Sequence, residues 1–258
     1  MEFVEHREYS RGDEMRHIDW RAWGKTGRYY VKEFEDETNL RAHLLVDASG
    51  SMGYAGDSLR KFDYAGILAA SLAWLLLGQR DSVGLTTFDS KIRQQLRPSS
   101  SRNTFHQIVQ ILEETEPGEE TSLADLLDEM LPSVKRRSLL ILISDCLDSI
   151  DRLEKVLQRC RHAQHEVIVF RVAAPEEVEF PFGGPTQFRS LENRSHSLLV
   201  DPARLRKEYL RQYAEFAERL ELICGNLEID YRAMTTADSF QQVLGSWLDE
   251  RMTRQARR

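Results

Sequence analysis

The run Ser138 to Ser144 (SLLILIS) is seven residues long, apolar almost throughout, and followed directly by a carboxylate, Asp145. A run this short, apolar on both alternating faces, fits a strand covered on both sides, and such strands belong to parallel sheets sandwiched between helices. The pattern recurs. Arg41 to Val46 (RAHLLV) is a short apolar run ending in Asp47, and Glu166 to Val172 (EVIVFRV) reads as another central strand. Ser82 to Phe88 reads as a strand with Ile92 to Leu96 pairing back across the turn Asp89-Ser90, and Leu227 to Ala233 as a last strand. Helical periodicity fills the intervals: Ser58 to Gln79, Asn103 to Glu114, Ser122 to Leu131, Ile150 to Ala163, Pro202 to Cys224 and Ser239 to Met252. Asp201 is placed to N-cap the helix that opens at Pro202. The alternation predicts an α/β domain over residues 40–258, a doubly wound, mostly parallel sheet flanked by helices.

Two segments break the alternation. Residues 1–39 are dense in charge and aromatics (Tyr9, Trp20, Trp23, Tyr29, Tyr30, Phe34), and Tyr29 to Glu35 alternates like a strand. They read as a short β-rich arm or hairpin packed on the main domain, with Trp20 and Trp23 as its anchors. Residues 175–200 carry Pro and Gly and read as an irregular insertion, with short strands around Thr186 to Leu191 and His196 to Val200. Beyond it, Leu205, Tyr209, Tyr213, Phe216 and Leu220 share one helix face and are expected to be core.

Composition narrows the class. The 258 residues hold 35 Lys and Arg against 42 Asp and Glu, a formal charge of −7, which argues against a nucleic-acid partner. The three cysteines, Cys146, Cys160 and Cys224, form no Cys-x-x-Cys pair, so neither a disulfide framework nor a cysteine zinc site is expected. The N-terminus has no apolar core of a signal peptide. The longest apolar run, Ala65 to Gly78, is shorter than the roughly 18–20 residues a spanning helix needs. These features predict a cytoplasmic chain with no direct membrane insertion.

The chemistry concentrates at the strand ends. Ligands of open α/β sheets bind at the carboxyl ends of strands. Asp47 stands at such an end, and Ser49 and Ser51 follow on the strand-to-helix loop, which Gly50 and Gly53 allow to turn tightly. Asp145 ends a second central strand, and Thr121 opens a helix after the turn Gly118-Glu119-Glu120, where it can also act as N-cap. Carboxylates and hydroxyls are hard oxygen donors suited to Mg²⁺ or Mn²⁺. If the hydroxyls of Ser49, Ser51 and Thr121 are the direct ligands, they donate little charge, with Asp47 and Asp145 acting through water or as hydrogen-bond acceptors. Such a cation stays electron-poor and recruits a carboxylate from another protein.

An enzyme reading uses the same strand-end pocket. Ser51, Asp145 and a later histidine (His162, His165 or His196) follow the chain order of α/β-hydrolases, but Ser49 stands where the nucleophile elbow requires Gly. A metal-dependent hydrolase of phosphoesterase type is the alternative to a binding module. No complete catalytic motif is present, and no Walker A sequence.

Asp47-x-Ser49-x-Ser51, with Thr121 and Asp145, resembles the metal-ion-dependent adhesion site of von Willebrand factor A domains. The run Glu8-Tyr9-Ser10-Arg11-Gly12-Asp13-Glu14-Met15-Arg16-His17-Ile18-Asp19-Trp20 and the run Tyr30-Val31-Lys32-Glu33-Phe34-Glu35 resemble the bacterial DUF58 family, whose core is such a domain. The sequence departs from the A-domain pattern at Gly118-Glu119-Glu120-Thr121, where Gly-Gly-Thr is common. The resemblance implies a von Willebrand A-like fold and divalent-metal-dependent protein binding. It also implies a role as adaptor or partner of a MoxR-type AAA+ ATPase, or as a binder of that ATPase's client.

Overall fold

The computed structural model of the chain describes residues 2–10, 18–35, 40–118, 123–134, 137–191, 197–240 and 243–245. It divides into two units, residues 1–39 and 40–258. The first unit pairs β1 (Glu2–Glu8) with β2 (Tyr30–Glu35) antiparallel, and places between them a short helix, α1 (Trp20–Thr26). The hairpin was expected and the helix was not. Asp19 caps it, Oδ1 accepting from Arg21 and Ala22 N–H, and Gly27 ends it at φ 71°, a left-handed conformation that suits glycine. Trp23 stacks on Tyr29 with ring centroids 6.0 Å apart, and Trp20 meets both edge-on. Residues 11–17 of the N-terminal signature lie outside the described residues.

The second unit alternates as its sequence predicts. In chain order it contains β3 (Arg41–Asp47), α2 (Lys61–Gly78), β4 (Ser82–Phe88), β5 (Ile92–Ser99), α3 (Thr104–Glu114), α4 (Leu123–Met130), β6 (Leu139–Ser144), α5 (Ile150–His162), β7 (Glu166–Ala173), α6 (Pro175–Glu179), β8 (Thr186–Arg189), β9 (Ser197–Val200), α7 (Pro202–Asn226) and β10 (Asp230–Thr235). The six-stranded sheet runs β10-β7-β6-β3-β4-β5 and is parallel except for the edge strand β5, which folds back on β4 and carries Pro98 where an edge tolerates it. Strands β8 and β9 form a separate antiparallel pair. Of the expected last helix, Phe240 and residues 243–245 are helical, and the rest lies outside the described residues.

Alternation along the strands feeds two cores. Leu44 and Val46 of β3, Ile141 and Ile143 of β6, and Phe170 of β7 face α2 and α3. Leu45, Leu140, Leu142 and Val169 face α4, α5 and α7. Helix α2 has the length and apolarity to cross a membrane, but Phe62, Tyr64, Ala65, Leu68, Ala69, Leu72 and Ala73 are buried in the first core. It is the central covering helix of the sheet. The stripe on α7 is core only in its second half: Leu220 is buried, whereas Leu205 is 42% exposed, and Tyr209 and Tyr213 stack on each other above the insertion.

Candidate functional site at the strand ends

Strand β3 is the first of the sheet. The chain runs from it to β4 and β5 on one side, then crosses to β6 and β7 on the other. The order therefore reverses between β3 and β6, and the crevice at their carboxyl ends is where an open α/β sheet binds ligands. Asp47 and Asp145 stand there, both buried.

The hydrogen bonds around Asp47 show its task. Its Oδ1 accepts from the Ser49 N–H at 2.9 Å, and its Oδ2 accepts from the Ser144 hydroxyl at 2.6 Å. The Cys146 N–H in turn donates to Ser144 Oγ at 2.8 Å. Asp47 thus fastens the loop after β3 to the end of β6. On that loop the hydroxyls of Ser49 and Ser51 lie 3.1 Å apart. The loop is closed from above by backbone: a side chain at Gly50 would stand 2.6 Å from the Leu191 carbonyl oxygen and 2.8 Å from that of Gly118. The Gly118 N–H also donates to Ala48 O at 3.0 Å. Thr121 lies outside the described residues.

Asp145 is held differently. Its Oδ1 accepts from the Leu147 N–H at 3.2 Å, and its Oδ2 takes the ammonium of Lys61 at 2.9 Å. Lys61 is fully buried and also reaches Glu177 Oε1 at 2.7 Å, whose Oε2 accepts the Ala174 N–H. Burial alone would favour loss of the Lys61 proton. Asp145 and Glu177 more than offset it, and its pKa stands above the ordinary lysine value. Arg171, on β7, is also buried, its guanidinium 4.6 Å from the ring centre of Tyr213 and its Nε donating to the Asp145 carbonyl.

Among the described residues Asp47 has no cationic partner. Burial first, and then the neighbouring Asp145, push its pKa up to about 7. A buried carboxylate short of positive charge, beside two hydroxyls on a tight loop, is a donor set that fits a divalent cation. The hydroxyls would be the direct ligands. Both oxygens of Asp47 already accept hydrogen bonds that hold the loop, so Asp47 would orient rather than ligate.

A cleft of about 430 Å³ opens beside this loop, lined by Gly50, Gly53, Pro117, Gly118 and Leu191 together with Arg189 and with Arg60, whose guanidinium is paired with Asp63 and Glu116. The histidines of the hydrolase reading stand elsewhere. His165 accepts the Ser138 N–H through Nδ1 at 3.3 Å, at the start of β6 and thus the opposite end from Asp145. His162 closes α5 just before it, and His196 lies outside the described residues. Sequence reasoning missed Ser144, Lys61, Arg171 and the two arginines lining the cleft. A base inside the apolar run EVIVFRV was a readable signal for Arg171. Lys61 gave none, since a lysine at the start of a helix is ordinarily solvated.

Comparison with known proteins bears on the fold and on one expectation. An uncharacterized protein of Mycobacterium tuberculosis is 26% identical over 214 residues, covering 81% of this chain and 67% of that protein, and its Mycobacterium bovis counterpart matches equally. The crystal structure of the conserved hypothetical protein BatB from Bacteroides thetaiotaomicron superposes with a TM-score of 0.57 at 17% identity, over 82% of this chain and 98% of that one. That of an aerotolerance-related membrane protein from Bacteroides fragilis gives 0.53 at 17%, over 82% and 99%. The last description corrects the expectation of a cytoplasmic chain. The fold occurs in a protein described as a membrane protein, so the lack of an export segment in this sequence does not place it in the cytoplasm. The model of the family described as "Protein of unknown function DUF58" matches residues 5–219. The chain belongs to the DUF58 family, and its α/β unit shares the fold of the BatB structure.

Proposed function

We propose that this chain is a divalent-cation-dependent protein-binding module. Mg²⁺ or Mn²⁺ is held by the hydroxyls of Ser49 and Ser51, with Thr121 as a third ligand and with Asp47 and Asp145 acting through water or as acceptors. The cation supplies an open coordination position for a carboxylate of the partner. The chain's own residues do the rest: Asp47 and Ser144 hold the loop, and the exposed Arg189 draws an acidic segment toward the cleft. The observation that carries the reading is the hydroxyl pair, 3.1 Å apart, next to the buried Asp47, which has no cationic partner among the described residues. The partner is a MoxR-type AAA+ ATPase or its client, and the complex is membrane-associated, as the description of the Bacteroides fragilis structure suggests.

Calorimetric titration of Mg²⁺ and Mn²⁺ into the wild type and the Ser49→Ala/Ser51→Ala variant tests the metal site. Saturable binding to the wild type that is lost in a folded double variant supports it. Equal binding to both removes the hydroxyls from the site. Absence of binding to the wild type, alone and with an excess of a Glu-containing peptide, removes the metal.

A further inference from the structure

The insertion builds a second cavity that the metal reading does not use. It has a volume of about 510 Å³ and lies between α6, the β8–β9 pair and the first half of α7. Its floor is aromatic: the Phe180 ring lies 4.5 Å from that of Tyr209, 5.1 Å from Phe182 and 5.9 Å from Phe188. Phe180 is held there by a left-handed backbone, φ 48°, which a side-chain-bearing residue rarely adopts. The wall continues onto exposed apolar surface, with Leu198 60% and Leu205 42% exposed.

Among the described residues the charge lining the cavity has one sign: its ionisable carboxylates are Glu176, Glu177 and Glu208, and no described lysine or arginine lines it. Glu177 is engaged by Lys61, and Glu208 by Arg211 on the outer face of α7. Glu176 is different: its Oε1 accepts the Asp57 N–H at 2.9 Å, and among the described residues no cation pairs with it. A carboxylate on the cavity lining without a cationic partner suits a basic group brought by a ligand.

We propose that this cavity is a docking site for a basic, apolar-anchored peptide segment of a partner protein. A large apolar or aromatic side chain fills the aromatic floor, and an adjacent Arg or Lys donates to Glu176 and faces Glu208. The apolar lining supplies the anchor and the acidic rim the direction. The open side favours a protein segment over an enclosed small molecule, because exposed leucines extend beyond the cavity. The acidic rim disfavours an anionic membrane surface. The proposal does not depend on the metal site, and it stands or falls without added cation.

The test is an array of twelve-residue peptides of randomised sequence, probed in EDTA with the wild type, with Leu198→Ser/Leu205→Ser and with Glu176→Gln/Glu208→Gln. The substituted leucines are exposed, so thermal melts should coincide with the wild type. The expected result is that wild-type binders pair an Arg or Lys with a neighbouring Trp, Phe or Leu. Those binders should weaken about tenfold with the leucine variant. With the glutamine variant they should weaken several-fold at low salt and less at high salt. Binders without basic residues, or binding that survives the leucine variant, would overturn the proposal. Two other results would overturn it by naming a different occupant. One is leucine-dependent binding to phosphatidylglycerol vesicles without peptide binding. The other is leucine-dependent self-association of the chain.

Discussion

The two cavities share no lining residue and differ in nearly every chemical respect. The cleft beside the hydroxyl loop is walled by backbone and small residues, with the exposed Arg189 on its lining. The cavity under the insertion is walled by phenylalanine, leucine and tyrosine and rimmed by glutamates. The first is made by the ends of central strands, whose positions the sheet dictates. The second is made by a five-residue helix, a pair of four-residue strands and half of α7, pieces that a parallel sheet does not require. One fold therefore presents two opposite chemistries, one inherited from the sheet topology and one added to it. Lys61 joins them, since its ammonium bonds Asp145 on one side and Glu177 on the other.

The largest expected effect breaks both regions together. Lys61→Met leaves two carboxylates facing each other's charge in a buried setting, and should cost about 3–5 kcal/mol of stability. A urea titration checks this, and Lys61→Met/Asp145→Asn should recover part of the loss. An acid titration then separates both regions from the opposite end of the sheet. His43 has its pKa lowered to about 4 by burial first and by His165 and Arg41 after it. The unfolded chain protonates His43 below about 6.5, whereas the folded chain holds it neutral down to about pH 4. Its contribution is thus complete above pH 6.5 and falls, by on the order of 2 kcal/mol, as the pH drops toward 4. His43→Gln should flatten that part of the stability-against-pH curve and leave the binding properties of both cavities intact.

The smaller effects sharpen the contrast one side at a time. Gly50→Ala places a methyl against two carbonyl oxygens and should cost about 1–3 kcal/mol while moving the hydroxyl loop. Thermal melts with and without Mg²⁺ should show both a lower midpoint and a weaker response to the metal. Arg189→Glu, on an exposed side chain, should change stability by less than about 0.5 kcal/mol. It should weaken an acidic peptide at the metal loop several-fold and leave basic peptides unaffected.

Much of this was legible from residues. The continuous apolar runs SLLILIS and EVIVFRV are β6 and β7 because only strands covered on both faces dispense with alternation. Asp47, Ser49, Ser51 and Asp145 fall at one strand-end crevice because parallel strands place their carboxyl ends together. The illegible part depends on tertiary partners. Lys61 is a buried cation only because Asp145 and Glu177 meet it from 84 and 116 residues away. Helix α6 is too short to show a period, and Phe180 owes its place to a backbone conformation that its residue type disfavours. The α7 stripe was read as core throughout, but its first half faces a cavity instead, which periodicity alone does not distinguish.

The bond from Ser144 to Asp47 spans 97 residues. Contacts of that separation close late, because the chain entropy of so long a loop must be overcome before the contact contributes anything. The hydroxyl loop has local bonds of its own, from the Ser49 N–H to Asp47 and between Ser49 and Ser51. Its tie to Ser144 is made only when β3 and β6 lie side by side. A partner that gripped this loop, as proposed above, would select chains in which β3 and β6 are already joined.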